Sequence, residues 1–105
     1  MQVLFDQGTP VPLRRYLSAH TVITVFEKNW NRMQNGELLR TAEDQAFEVL
    51  VTTDQNLKYQ QNLSGRALAI VVLSTTSWLV IEPQAERVVN VIDTITPGSY
   101  VEITF

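Results

Sequence analysis

The stretch Ala67–Leu73 reads ALAIVVL and carries no polar side chain. A strand with one wet face alternates, so an unbroken apolar run of strand length suits a central strand covered on both faces. Such coverage is typical of parallel sheets, whose crossover helices pack above and below.

The rest of the chain supplies matching parts. Gln2–Phe5 and the β-branched Thr21–Val25 read as strands, as does Phe47–Thr52. Thr9-Pro10 resembles an N-cap with proline at the first helical position. Leu13 and Leu17 then fall on one face, and Arg14 and Arg15 point outward. Phe26–Met33 fits a short helical turn. Asn35-Gly36 breaks the chain, and Glu37–Ala46 follows as a helix with Leu38, Leu39, Ala42 and Ala46 on one side. Asp54–Leu63 is polar, compatible with a helix, and ends near Ser64-Gly65.

Pro83 opens a last helix, whose Ala85, Val88, Val89, Ile92 and Ile95 keep helical spacing until Thr96-Pro97-Gly98. Ser99–Phe105 alternates and reads as an edge strand. Strands therefore alternate with helices. The expected fold is α/β: three layers, α/β/α, around a central, mainly parallel five-stranded sheet, with residues 1–105 as one domain.

Composition narrows the classes. With 45% hydrophobic and 18% charged residues, the chain has the make-up of a soluble globular domain. It contains no cysteine, which excludes disulfides, thiolate catalysis and thiol-bound metals. No run approaches the ~18 apolar residues of a membrane span, and no leader-like segment opens the chain. These features predict a cytoplasmic protein without a membrane partner. Residues 1–66 hold seven Lys/Arg and seven Asp/Glu, whereas residues 67–105 hold Arg87 alone against four acids. An anionic partner should meet the first two-thirds of the chain; two ordinary solvated faces would give the same count.

In an open parallel sheet, ligands bind outside the carboxyl ends of the strands. Asp6 follows the first strand, Asp54 the third, and Ser74-Thr75-Thr76-Ser77 the fourth. Glu37 opens the helix leading into the third strand. Carboxylates gathered at one edge raise the cost of ionising each other. A hard divalent cation removes that cost and can activate water against a phosphoryl group. Each acid also has a purely structural reading. Asp6 can pin the Gly8-Thr9-Pro10 turn, Asp54 can cap the segment after it, and Glu37 can complement its helix dipole.

Three stretches resemble small bacterial PIN-like proteins. LFDQGTPVPLRRYL is similar to their strand-aspartate-turn-helix opening, where an LLDENLP-type motif is usual. NGELLRTAEDQAFEVLVTTDQNL resembles their middle block, an acidic helix start followed by an apolar strand and an aspartate. NLKYQQNLSGRALAIVVLSTTSW looks like the remainder of one subgroup. The resemblance runs through nearly the whole chain.

It implies a Mg²⁺- or Mn²⁺-dependent ribonuclease, with Asp6, Glu37 and Asp54 as catalytic metal ligands and RNA as substrate. Many such proteins are toxins paired with an antitoxin protein, and many form homodimers. This chain departs from the family at Gln7, Asn35 and Asn56, where relatives often carry acids. These three amides, with Ser74 and Thr75, become neutral supporting groups, and three acids should hold a metal more weakly than four. Arg14, Arg15, Arg32, Lys58 and Arg66 are candidate phosphate contacts, and Tyr59 a surface on which a base could stack. The alternative is a catalytically degenerate PIN-like module that binds RNA or protein. A phosphoacceptor like that of response regulators fits less well, since Asp6 has no adjacent acid and no lysine follows Lys58.

The remaining candidates point elsewhere. His20, the sole histidine, has no second ligand in a metal spacing and is expected in a turn or at the surface. Trp30 and Trp78 read as packing residues. The serines at 74 and 77 have no histidine to activate them, and no phosphate-binding glycine loop is present.

Overall fold

A computed structural model describes residues 1–105. The apolar runs form five strands: β1 (Gln2–Phe5), β2 (Thr21–Thr24), β3 (Val49–Thr52), β4 (Ala69–Leu73) and β5 (Tyr100–Ile103). They make one sheet in the order β2-β1-β3-β4-β5, and every neighbouring pair is parallel. The α/β class and the five strands agree with the sequence reading.

Each crossover contains helix. Val11–Leu17 is a 3₁₀ helix between β1 and β2; α1 (Asn35–Asp44) joins β2 to β3; and α2 (Leu57–Gln60) joins β3 to β4. The last crossover holds α3 (Trp78–Ile81), a 3₁₀ turn at Glu82–Gln84, and α4 (Ala85–Thr94). All five residues of β4 are buried, as its unbroken apolar run requires. Alternate strand residues feed two apolar layers. Val3, Phe5, Val49, Val51 and Val71 pack with Leu13, Leu17, Ile81, Val88 and Ile92 on one face. Leu4, Leu50, Ile70 and Val72 pack with Leu38, Leu39 and Ala42 of α1 on the other.

Several boundaries differ from expectation. Asn35-Gly36 does not break the chain but forms the first turn of α1. The helix after Asp54 shrinks to four residues. Helical backbone begins at Trp78, before Pro83; the proline occupies the start of a 3₁₀ turn, where its missing N–H costs no hydrogen bond.

His20 lies in the turn that leads into β2, as expected, but its ring is not at the surface. Its side chain is 8% exposed, its Nδ1 accepts from the Met1 ammonium at 3.2 Å, and its Nε2 lies 2.6 Å from the Asp93 carboxylate on α4. The imidazole thus ties the start of β2 to α4. Trp30 meets Phe47 edge-on at 5.9 Å and Trp78 tilts against Tyr16 at 5.7 Å, as packing residues do. No helix is long and apolar enough to cross a membrane.

Gly98 turns the chain into β5 with φ of 76°, and a Cβ there would stand 2.6 Å from the Arg66 carbonyl oxygen. Gly65 has a similar φ of 75° but open space around it. Gly65→Ala should therefore cost only the left-handed strain, about 1 kcal/mol. Gly98→Ala should cost distinctly more, because backbone cannot yield as a side chain can. Urea melts of the two variants check this, and equal losses would refute it.

Candidate functional site

The strand order reverses direction once. From β1 the chain steps outward to β2, then returns past β1 to build β3, β4 and β5. The crevice at that reversal, beyond the carboxyl ends of β1 and β3, is where open α/β sheets bind ligands. Asp6 and Asp54 follow those two strands.

Thr52, the last residue of β3, joins them. Its side chain is fully buried, and its hydroxyl donates to Asp6 Oδ2 at 2.8 Å while accepting from the Asp54 N–H at 3.1 Å. The other Asp6 oxygen accepts from the Gln7 N–H at 2.8 Å. Asp54 Oδ1 accepts from the Asn56 N–H at 3.0 Å, and Oδ2 from the Asn35 side-chain amide at 3.0 Å. Asn35 also donates to Gln60 Oε1, tying α1 to α2. Beneath the site, Thr9 Oγ1 and the Asp6 N–H both donate to the Val51 carbonyl. Gly8 turns away at φ of 84°, with no room for a Cβ against the Thr53 hydroxyl, 2.6 Å away.

Burial pushes the Asp6 carboxyl above the usual range, and the Asp54 charge adds to the shift; the hydrogen bonds from Thr52 and Gln7 pull against both. The Asp54 charge is thus felt at Asp6, as the smallest of these effects.

Glu37 does not join them. It is exposed, its carboxylate has no hydrogen-bond partner, and no three acids or histidines converge closely enough to hold an ion. The physical reason is the start of α1. Asn35 leads the helix and faces Asp54. Glu37, two residues on, lies about 200° around the axis and cannot share that face. It sits instead in the first turn, where the helix dipole favours a carboxylate.

The other predicted residues divide. Gln7 donates to the Asn31 carbonyl and Asn35 to Asp54, which leaves both amide oxygens without a protein donor. Asn56 contributes its backbone N–H rather than its side chain. Ser74 is engaged with Phe105 and Gln55, and Thr75 with Ser77. Three of the predicted phosphate contacts are held in ion pairs: Arg14 with Glu27, Lys58 with Glu102, and Arg66 with Glu43. Arg15 and Arg32 are exposed and have no polar partner, and Tyr59 is 78% exposed beside the Lys58 ammonium.

Asp6 and Asp54 each keep carboxylate lone pairs unused, and every donor they offer is oxygen. That chemistry suits a hard cation; Mg²⁺ in particular is often held by one or two carboxylates, with waters and substrate phosphates completing its shell. Thr52 was missed by the sequence reading. A signal was present, since a hydroxyl at the end of a buried strand must find a partner.

Two stability tests follow. The folded chain holds the Asp6 proton more tightly than the unfolded chain does. The Asp6 contribution to wild-type stability should thus fall as pH rises through the window above the ordinary carboxyl value of ~4. The melting temperature of Asp6→Asn, relative to wild type, should improve between ~pH 3 and ~pH 7; a constant difference would contradict the burial effect. Thr52→Val keeps the strand but strips partners from Asp6 and from the Asp54 N–H, and should cost about 1–3 kcal/mol in chemical denaturation.

No family profile matches the chain, and neither does any curated protein or any solved structure.

Proposed function

We propose that the chain is a divalent-cation-dependent ribonuclease acting at the β1/β3 crevice. One observation carries the reading: Asp6 and Asp54 stand on either side of the point where strand order reverses, coupled to each other and bridged by one buried hydroxyl. Asp6 and Asp54 would hold Mg²⁺ or Mn²⁺, with the amide oxygens of Asn35 and Gln7 close by. Such an ion supplies charge stabilisation at phosphorus and an activated water.

The chain's own groups do the positioning. Thr52 fixes the spacing of the two acids, and Asn35 sets the orientation of Asp54. Arg15 and Arg32 are free to meet a phosphate, and Tyr59 a base. On the same resemblance-based reading the protein would work in the cytoplasm as the toxin of a toxin–antitoxin pair, and a homodimer would be its assembly.

A second reading has its own support. With Glu37 outside the crevice, two acids remain, and each accepts a backbone N–H. Those features favour the alternative, a catalytically degenerate PIN-like module that binds RNA or protein without cleaving it.

Cleavage of single-stranded RNA with Mn²⁺ separates the two. The ribonuclease reading expects Asp6→Asn and Asp54→Asn each to lose about a hundredfold or more in rate. Glu37→Gln should stay within about twofold, because that side chain faces water. It also expects Mn²⁺ at a hundred times its Kd to add about 2.7 kcal/mol of stability to wild type and not to Asp54→Asn. Absence of both cleavage and Mn²⁺ stabilisation would leave the binding module.

A further inference from the structure

The largest cavity lies at the opposite edge of the sheet. It has a volume of about 370 Å³, within the range of small-molecule clefts, and is built where the chain enters β1, β3, β4 and β5. Phe47, Ala69, Ile95 and Pro97 supply apolar wall. The ionisable side chains lining it are Glu43 and Glu48; no lysine, arginine or histidine does so.

Both glutamates are half-engaged. Glu43 Oε1 accepts from Arg66 at 2.8 Å, and Arg66 does not line the cleft. Glu48 Oε1 accepts from the Gln2 N–H at 3.2 Å. Neither Oε2 has a protein donor. Met1 also lines the cleft, and its ammonium, the one cation on the wall, is bonded to His20. With two carboxylates on the wall against one ammonium already held by His20, the cleft is net negative; it disfavours anions and gives a neutral ligand nothing to neutralise.

We propose that this cleft binds a small organic cation, an apolar body carrying one primary amine. The apolar part would lie against Phe47 and Ile95, and the ammonium would donate to the free oxygens of Glu43 and Glu48. A charge-assisted bond to a carboxylate favours the amine over an isosteric alcohol, and a carboxylate analogue is repelled. The site lies across the sheet from Asp6 and Asp54, so it stands or falls independently of the ribonuclease reading.

Amide-resolved NMR titration with phenethylamine tests the proposal, with phenethyl alcohol and phenylacetate as neutral and anionic comparators. Phenethylamine should shift the signals of Ala46, Phe47, Ala69 and Ile95 and bind about tenfold more tightly than the alcohol, the worth of one charge-assisted contact. Glu48→Gln, at an exposed position, should remove most of that preference. Ala67→Phe, which fills the cleft from an exposed lining position, should abolish binding of both. Equal affinity for amine and alcohol, no saturable shifts with any probe, or shifts mapping elsewhere would overturn the proposal. So would unchanged amine preference in Glu48→Gln, a readout that holds even if Ala67→Phe fails to fold.

Discussion

Parallel strands cannot be joined by tight turns; every pair needs a crossover long enough to carry the chain back. That requirement shapes this molecule. Four crossovers place helices on both faces of the sheet, and both faces of β1, β3 and β4 become apolar as a result. Crossovers of one hand can cover both faces only if the chain reverses its lateral direction. Here it does so between β1 and β3. At that point Asp6, Thr52 and Asp54 meet at the strand ends without disturbing the core.

The crevice is costly to maintain. Asp6 is partly buried beside another acid, and its proton affinity rises accordingly. Thr52 limits the cost with a hydroxyl that serves both strand ends at once. The Gln7 N–H offsets more of it at the other carboxylate oxygen.

Much of this was legible in the sequence, for physical reasons that also mark where legibility stops. ALAIVVL announces a strand buried on both faces through composition alone. Asp6 and Asp54 could be located because a strand end is easily read and the sheet fixes what lies beyond it. Glu37 could not, because a helix start displaced by two residues rotates every side chain to a new bearing, and Asn35 took the place assigned to the acid. Pairings distant in sequence left no local trace either. His20 finds Asp93, Lys58 finds Glu102 and Arg66 finds Glu43 only once the layers close. The amino-edge cleft, assembled from separate strand entrances, belongs to the same category.

The pairing of Lys58 with Glu102 bears on how copies of this chain behave in concentrated solution. β5 is a border strand of four residues, and its outward Glu102 is clasped by an ammonium reaching over from α2. A foreign strand docking there would have to displace that clasp. A second copy adding its own β5 there would bring two Glu102 carboxylates to within about 5 Å where they stand opposite each other. The border thus discourages pairing of this strand with itself, a protection that acid or strong brine would erode.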